Sequence, residues 1–125
     1  DAFKEKLNDP IKRELLKASG WLDRGLQYKY NSIGFRGPEL DVDTPHFCAF
    51  GASVTGGTAI GYDQIYSTVV GEQLGLTCYN FGVPGGSDST SFRYALTYLP
   101  KLKPKFVVFQ QTFPHQQSCL AVLQL

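Results

Sequence analysis

The sequence predicts a single α/β domain, a parallel sheet with helices on its faces. Three observations carry this expectation. Short apolar runs, "HFCAF", "LTCYNF" and "KFVVFQ", alternate with two longer stretches of helical spacing, so the order from His46 onward is β-α-β-α-β. The runs are nearly all apolar, as strands covered on both faces need to be. At 125 residues, 42% hydrophobic and 14% aromatic, the chain can fill one core, and no repeat or compositional break marks a second.

Each element has its own local reason. In "NDPIKRELLKASG", Asp9 caps a helix with Pro10 in its first position, Ile11, Leu15 and Leu16 share an apolar face, and Gly20 ends it. From Trp21 to Pro45 the chain is rich in Gly, Pro, Asn and Asp without a sustained period, which reads as an ordered loop region. Within it, Ile33 and Phe35 of "NSIGFRG" are the expected apolar anchors, and Arg36 either fixes a loop through a carboxylate or stays solvated. After the first strand, "YDQIYSTVVGEQLG" carries Ile65, Val69 and Leu74 at helical spacing before Gly75. The second helix, in "SDSTSFRYALTYL", is capped at Ser87 or Asp88 and offers Phe92, Leu96 and Leu99. Residues 1–45 thus form an N-terminal helix and loop region, 46–117 the core, and 118–125 an apolar tail.

Charge and cysteine usage narrow the function classes. With Lys+Arg 12 against Asp+Glu 11 the net charge is +1, too little to gather nucleic acid or an anionic membrane. The longest apolar runs, such as Phe106–Phe109, fall far short of the roughly 20 residues a membrane-crossing helix needs. Cys48, Cys78 and Cys119 form no C-x-x-C pair and read as buried free thiols. Two histidines in separate segments give a zinc site no support, and no cofactor is expected. The opening "DAFKEK" lacks a starting Met and the pattern of a signal peptide, which suggests a mature or excised piece and leaves the compartment open.

Ligands of parallel sheets gather beyond the carboxyl ends of the strands, where Ser53, the loop after Phe81 and the loop after Gln110 all fall. In "GASVTGGT" the spacing of Gly51, Gly56 and Thr58 matches a phosphate-binding loop, but Gly57 stands where its lysine belongs. The G-x-G-x-x-G spacing of a dinucleotide fold is missing, and Thr55 interrupts the G-x-S-x-G elbow of the α/β-hydrolases. The plain reading makes Ser53 and Thr55 helix caps, and Gly82, Gly85 and Gly86 formers of a turn.

Together, "NSIGFRGPEL", "FGASVTGG" and "NFGVPGGS" resemble the SGNH (GDSL-like) hydrolase superfamily. Gly51-Ala52-Ser53 corresponds to its G-D-S block with Ala52 in place of Asp, and Asn80 to Gly85 fits its N-x-G-x-x-G block. The resemblance covers roughly Asn31 to Thr112. It implies a three-layer, flavodoxin-like domain of strand order 2-1-3, with Ser53 as the nucleophile of an esterase acting on acetylated carbohydrate or a lipid ester. The backbone N–H groups of Ser53 and Gly82 are the implied oxyanion donors. A third donor belongs after the last strand, where the chain reads "VVFQQTFPHQ"; of Gln110, Gln111 and Thr112, the last two are the better placed.

The family's late D-x-x-H is not matched in place. Asp43-Thr44-Pro45-His46 has the pattern but precedes the first strand, and seven residues at ~3.3 Å each put His46 roughly 23 Å from Ser53. His115, just beyond the third strand, is the remaining candidate base, against the plainer reading of a surface loop histidine. Asp88 is near enough to orient an imidazole, although a helix cap explains it more simply. The apolar ending after Gln117 makes the chain look truncated relative to that family. Two functions follow: an ester hydrolase, incomplete or inactive as this chain, with a small-molecule or glycan ester as substrate; or a non-catalytic module that binds carbohydrate or assembles with other chains.

Overall fold

The sheet is built outward from β1 (His46–Gly51), all of whose six residues are buried. A computed structural model of the chain describes residues 8–18, 20 and 26–111, together with the backbone of 119–124. On one side of β1 lies β2 (Thr77–Gly82), parallel, in register from His46 opposite Thr77 to Gly51 opposite Gly82. On the other lies β3 (Phe106–Gln111), also parallel, with Cys48 opposite Val107 and Phe50 opposite Phe109. The parallel order is therefore 2-1-3, with β1 at the centre. A central strand has no solvent face, which is why "HFCAF" has no polar alternation.

The tail expected to be merely apolar is a fourth strand. β4 (Cys119–Gln124) runs antiparallel to β3, from Gln111 opposite Cys119 to Phe106 opposite Gln124. The outer edge of β3 offers a row of unpaired N–H and C=O groups, and an apolar segment that returns along it satisfies them.

Among the described residues four α-helices accompany the sheet: α1 (Pro10–Ala18), α2 (Ser53–Gly56), α3 (Tyr66–Leu74) and α4 (Asp88–Leu102). Alternate side chains of β1 point to opposite faces, and each face has its own cluster. Cys48, Phe50, Tyr79, Phe81 and Val107 pack with Ala95 and Leu102 of α4, and Phe35 joins them from the N-terminal loop. On the other face Phe47, Ala49, Cys78 and Val108 pack with Tyr66 and Val70 of α3. Cys48 and Cys78 are buried free thiols, whereas the Cys119 side chain lies outside the described residues.

Ile65, which immediately precedes α3, is wholly buried as expected, but the bodies of both core helices are phased differently from the expectation. Val69 and Leu74 of α3 are exposed, and Ser67 and Gly71 are its buried residues. In α4, Phe92 and Leu96 are exposed, Leu99 is partly buried against the α4-side cluster, and Ser91, Ala95 and Leu102 are buried. The sheet explains the inversion, because its faces are already filled by rings: Phe50 stacks between Phe81 and Phe109, and Phe47 stacks on Phe106. At its closest approaches a helix meets such a surface with small side chains, and larger ones such as Leu102 and Tyr98 pack beside those points. A methyl group on Gly71 would lie 2.6 Å from the Leu76 carbonyl oxygen. Ser87, rather than Asp88, caps α4, accepting from the Thr90 N–H.

The Asp9 carboxylate caps α1 as its sequence suggests, accepting from Ile11 N and Lys12 N at 3.0 and 3.3 Å. None of the helix's residues is buried, and Ile11 and Leu15 remain exposed. The loop "NSIGFRG" is ordered against the domain: Asn31 N donates to the Phe35 carbonyl at 2.8 Å, and Asn31 Oδ1 accepts from Phe35 N at 2.9 Å. Phe35 is the anchor, wedged against Phe81, Tyr94 and Tyr98, while Ile33 is exposed, contrary to expectation. Among the described residues no helix is long and apolar enough to cross a membrane.

Candidate active site

Strand β1 ends at Gly51, where a side chain would collide with the Thr55 hydroxyl and with Gln110 Cβ, the latter at 2.9 Å. The chain turns through Ala52 and enters α2, whose first residue, Ser53, is exposed. Beside it, Gly51 pairs with Gly82, so Ser53 and the glycine loop share the carboxyl edge of the sheet, as expected.

Beneath the exposed serine lies a closed set of buried hydrogen bonds centred on Thr55, which is wholly buried. Gln110 Oε1 accepts from the Thr55 N–H at 3.0 Å and from the Thr55 hydroxyl at 2.6 Å. Since that hydroxyl has given its proton to Gln110, the Tyr66 phenol, 3.1 Å away, is the donor to Thr55 Oγ1. Burial pushes the Tyr66 phenol above its ordinary range. On the far side, Asn80 Nδ2 donates to the Thr55 carbonyl at 2.5 Å, and Asn80 Oδ1 accepts the Gly82 N–H at 2.8 Å. One threonine thus ties α2 to β3, α3 and β2 together.

Arg36 holds the other end of α2. It is buried, and its guanidinium donates to the carbonyls of Gly57 and Ile60 at 2.5 and 2.9 Å, with a longer contact to Gly56. Its partners are backbone oxygens, so it neither pairs with a carboxylate nor stays solvated, the two expected alternatives. The Gly56 and Gly57 carbonyls lie at the carboxyl end of α2, where a cation is favourable, and Ile60 belongs to the loop that follows. The Tyr28 ring covers the guanidinium, 4.2 Å from ring centre to Cζ, and Tyr28 Oη accepts from Ala59 N.

The expected donors redistribute. The Gly82 N–H is engaged by Asn80, so it is not a free oxyanion donor. Gly82 is a glycine because α2 passes so close: an added methyl would lie 2.5 Å from the Thr55 carbonyl carbon and 2.7 Å from Gly56 Cα. Farther along, Gly86 N donates to Val83 O across a turn with Pro84 second and Gly85 third, at φ +78°, the region that favours glycine. The Gly85 N–H takes part in none of the backbone bonds that shape this loop.

On β3 the inward residue is Gln110, buried, whereas Gln111 is exposed on the opposite face. The strand continues one residue farther than expected, and alternation then turns Gln111 away from Thr55. Thr112 and His115 lie outside the described residues. His46 sits at the amino end of β1 opposite Thr77, the far end of the sheet from Ser53, with Nδ1 2.6 Å from the Thr44 carbonyl oxygen. The Thr55–Gln110–Asn80 set was not read as a unit from sequence. The available signal was Ala52, a residue unable to cap, at the start of a helix whose third N–H then needs an acceptor from elsewhere.

No family model matches the chain, and no curated protein or solved structure is similar enough to count as a match.

Proposed function

We propose that the chain carries the nucleophile edge of an SGNH-type, flavodoxin-like serine ester hydrolase acting on carbohydrate O-acetyl or lipid esters. The observation that carries this reading is an exposed serine on a strand-to-helix turn held rigid from below by buried hydrogen bonds. In the reaction, Ser53 Oγ bonds to the ester carbonyl carbon as a base removes its proton, and the carbonyl π electrons move to the oxygen. The N–H of Ser53, unpartnered within its helix, stabilises that oxyanion, and the Gly85 N–H replaces the engaged Gly82 as second donor. Collapse expels the alcohol, which takes the proton; water, deprotonated by the same base, then releases the acid and regenerates Ser53. His115, four residues past the end of β3, is the candidate base.

The test is fluorophosphonate labelling and aryl-acetate turnover of the wild type, Ser53→Ala and His115→Ala. Labelling at Ser53, with turnover abolished in Ser53→Ala, is the expected result. If His115 is the base, its removal lowers turnover by ~10²–10⁴-fold, the usual general-base contribution. Weak turnover that is indifferent to His115 and rises in a chain extended past Leu125 places the base there. No labelling in either chain returns the alternative, a non-catalytic module for carbohydrate binding or assembly.

A further inference from the structure

The helix that opens with Ser53 has a capping problem that its own segment does not solve. Every α-helix begins with N–H groups lacking an intrahelical acceptor, and the residue before it ordinarily offers a side-chain oxygen to the second or third of them. Here that residue is Ala52, whose methyl group accepts nothing, and α2 is only four residues long. Such a segment does not hold a helical turn unaided. The acceptor arrives from β3, where Gln110 Oε1 takes both the Thr55 N–H and the Thr55 hydroxyl. Two donors on one oxygen fix the amide's orientation, and close contact with the end of β1 fixes its place: a side chain on Gly51 would lie 3.0 Å from the same Oε1.

We propose that Gln110 is a positioning residue for Ser53, a helix cap supplied by the neighbouring strand. It takes the third N–H of α2, whereas Ala52 offers no side-chain acceptor to those of Ser53 and Val54, the ones nearest the reacting atoms. Its importance for chemistry rests on the hydrolase reading above; the capping itself does not.

The experiment compares wild type, Gln110→Glu, Gln110→Leu and Gln110→Met in the 125-residue chain. Glu keeps the acceptor, whereas Leu and Met keep similar volume without it, and flexible Met guards against misfolding by the branched side chain. Two rates are read: amide hydrogen exchange at Thr55, with Cys48 and Phe50 as internal controls, and fluorophosphonate labelling of Ser53. Removing the acceptor is expected to speed Thr55 exchange about five- to tenfold, as for loss of one cap, and Glu to restore it. Labelling of Ser53 is expected to fall in the same order while the β1 controls stay protected. Thr55 exchange that is equal in all four chains overturns the cap. Labelling that ignores Gln110 while exchange follows it overturns the positioning role and leaves the hydrolase standing. Exchange that follows the acceptor with Ser53 unlabelled throughout supports the cap and overturns only the hydrolase reading.

Discussion

Gly82, the last residue of β2, and Gly85, in the loop that follows, are three residues apart, yet they are glycines for different reasons. At Gly82 the constraint is space, because α2 backbone occupies the position of a side chain. At Gly85 the constraint is dihedral, since φ is +78° and nothing lies within 4 Å of an added methyl. Gly85→Ala is therefore expected to cost about 1–2 kcal/mol, the usual penalty for a left-handed residue. Gly82→Ala must push two elements apart and is expected to cost about 3 kcal/mol, the upper part of the overpacking range. Urea midpoints at constant m-value measure both, and equal losses would contradict the distinction. Sequence located these glycines and Ser53 correctly at one edge, because strand ends are marked by the change from apolar to small residues. It did not reveal that the Gly82 N–H is engaged by Asn80 or which glutamine faced inward. Adjacent residues of a strand face opposite ways, and which of Gln110 and Gln111 faces Thr55 depends on how β3 registers against β1, which the sequence does not fix.

The helices illustrate a limit of reading faces from bulk. Both core helices exist where periodicity placed them, but the large apolar residues used to phase them are mostly on the wrong side. The aromatic strands supply the volume, so the helices contribute Ser67, Gly71, Ser91 and Ala95 at the closest approaches. In Ala95→Leu the new side chain meets a filled core, and a loss of about 1–3 kcal/mol is expected. Leu96→Ser, one position on, changes a residue that is 78% exposed and is expected to stay within about 0.5 kcal/mol of wild type. Thermal or urea unfolding decides, and the opposite ranking would restore the sequence-based phase. The same logic explains why β4 was missed: its strand character comes from pairing with β3, not from a period of its own.

At the scale of the whole molecule, the two described thiols make stability a function of alkaline pH. Burial pushes Cys48 and Cys78 each up to about 12. In the unfolded chain they titrate at about 8.5. The folded state thus favours the protonated form, so this contribution is fully present below about pH 8.5 and disappears as pH rises toward the folded value. Urea midpoints are expected to be insensitive to these thiols at pH 7 and to fall by pH 10.5, with a smaller fall in a Cys48→Ala, Cys78→Ala chain. An identical fall in both chains would assign the effect to other groups. The 2-1-3 order of the parallel strands was legible because alternating β and α segments leave few topologies open. The Ser53 turn was less so, because its parts come from places remote in the chain. Arg36 precedes the carbonyls it holds by 20 to 24 residues, and Gln110 follows Thr55 by 55. During synthesis, at roughly 5–20 residues per second, the arginine clasp is available as soon as the turn emerges, whereas the glutamine is still untranslated. Tyr66 and Asn80 follow Thr55 by 11 and 25 residues, so the partners of the turn are translated in sequence, and the glutamine that caps its helix is the last of them, several seconds behind the serine.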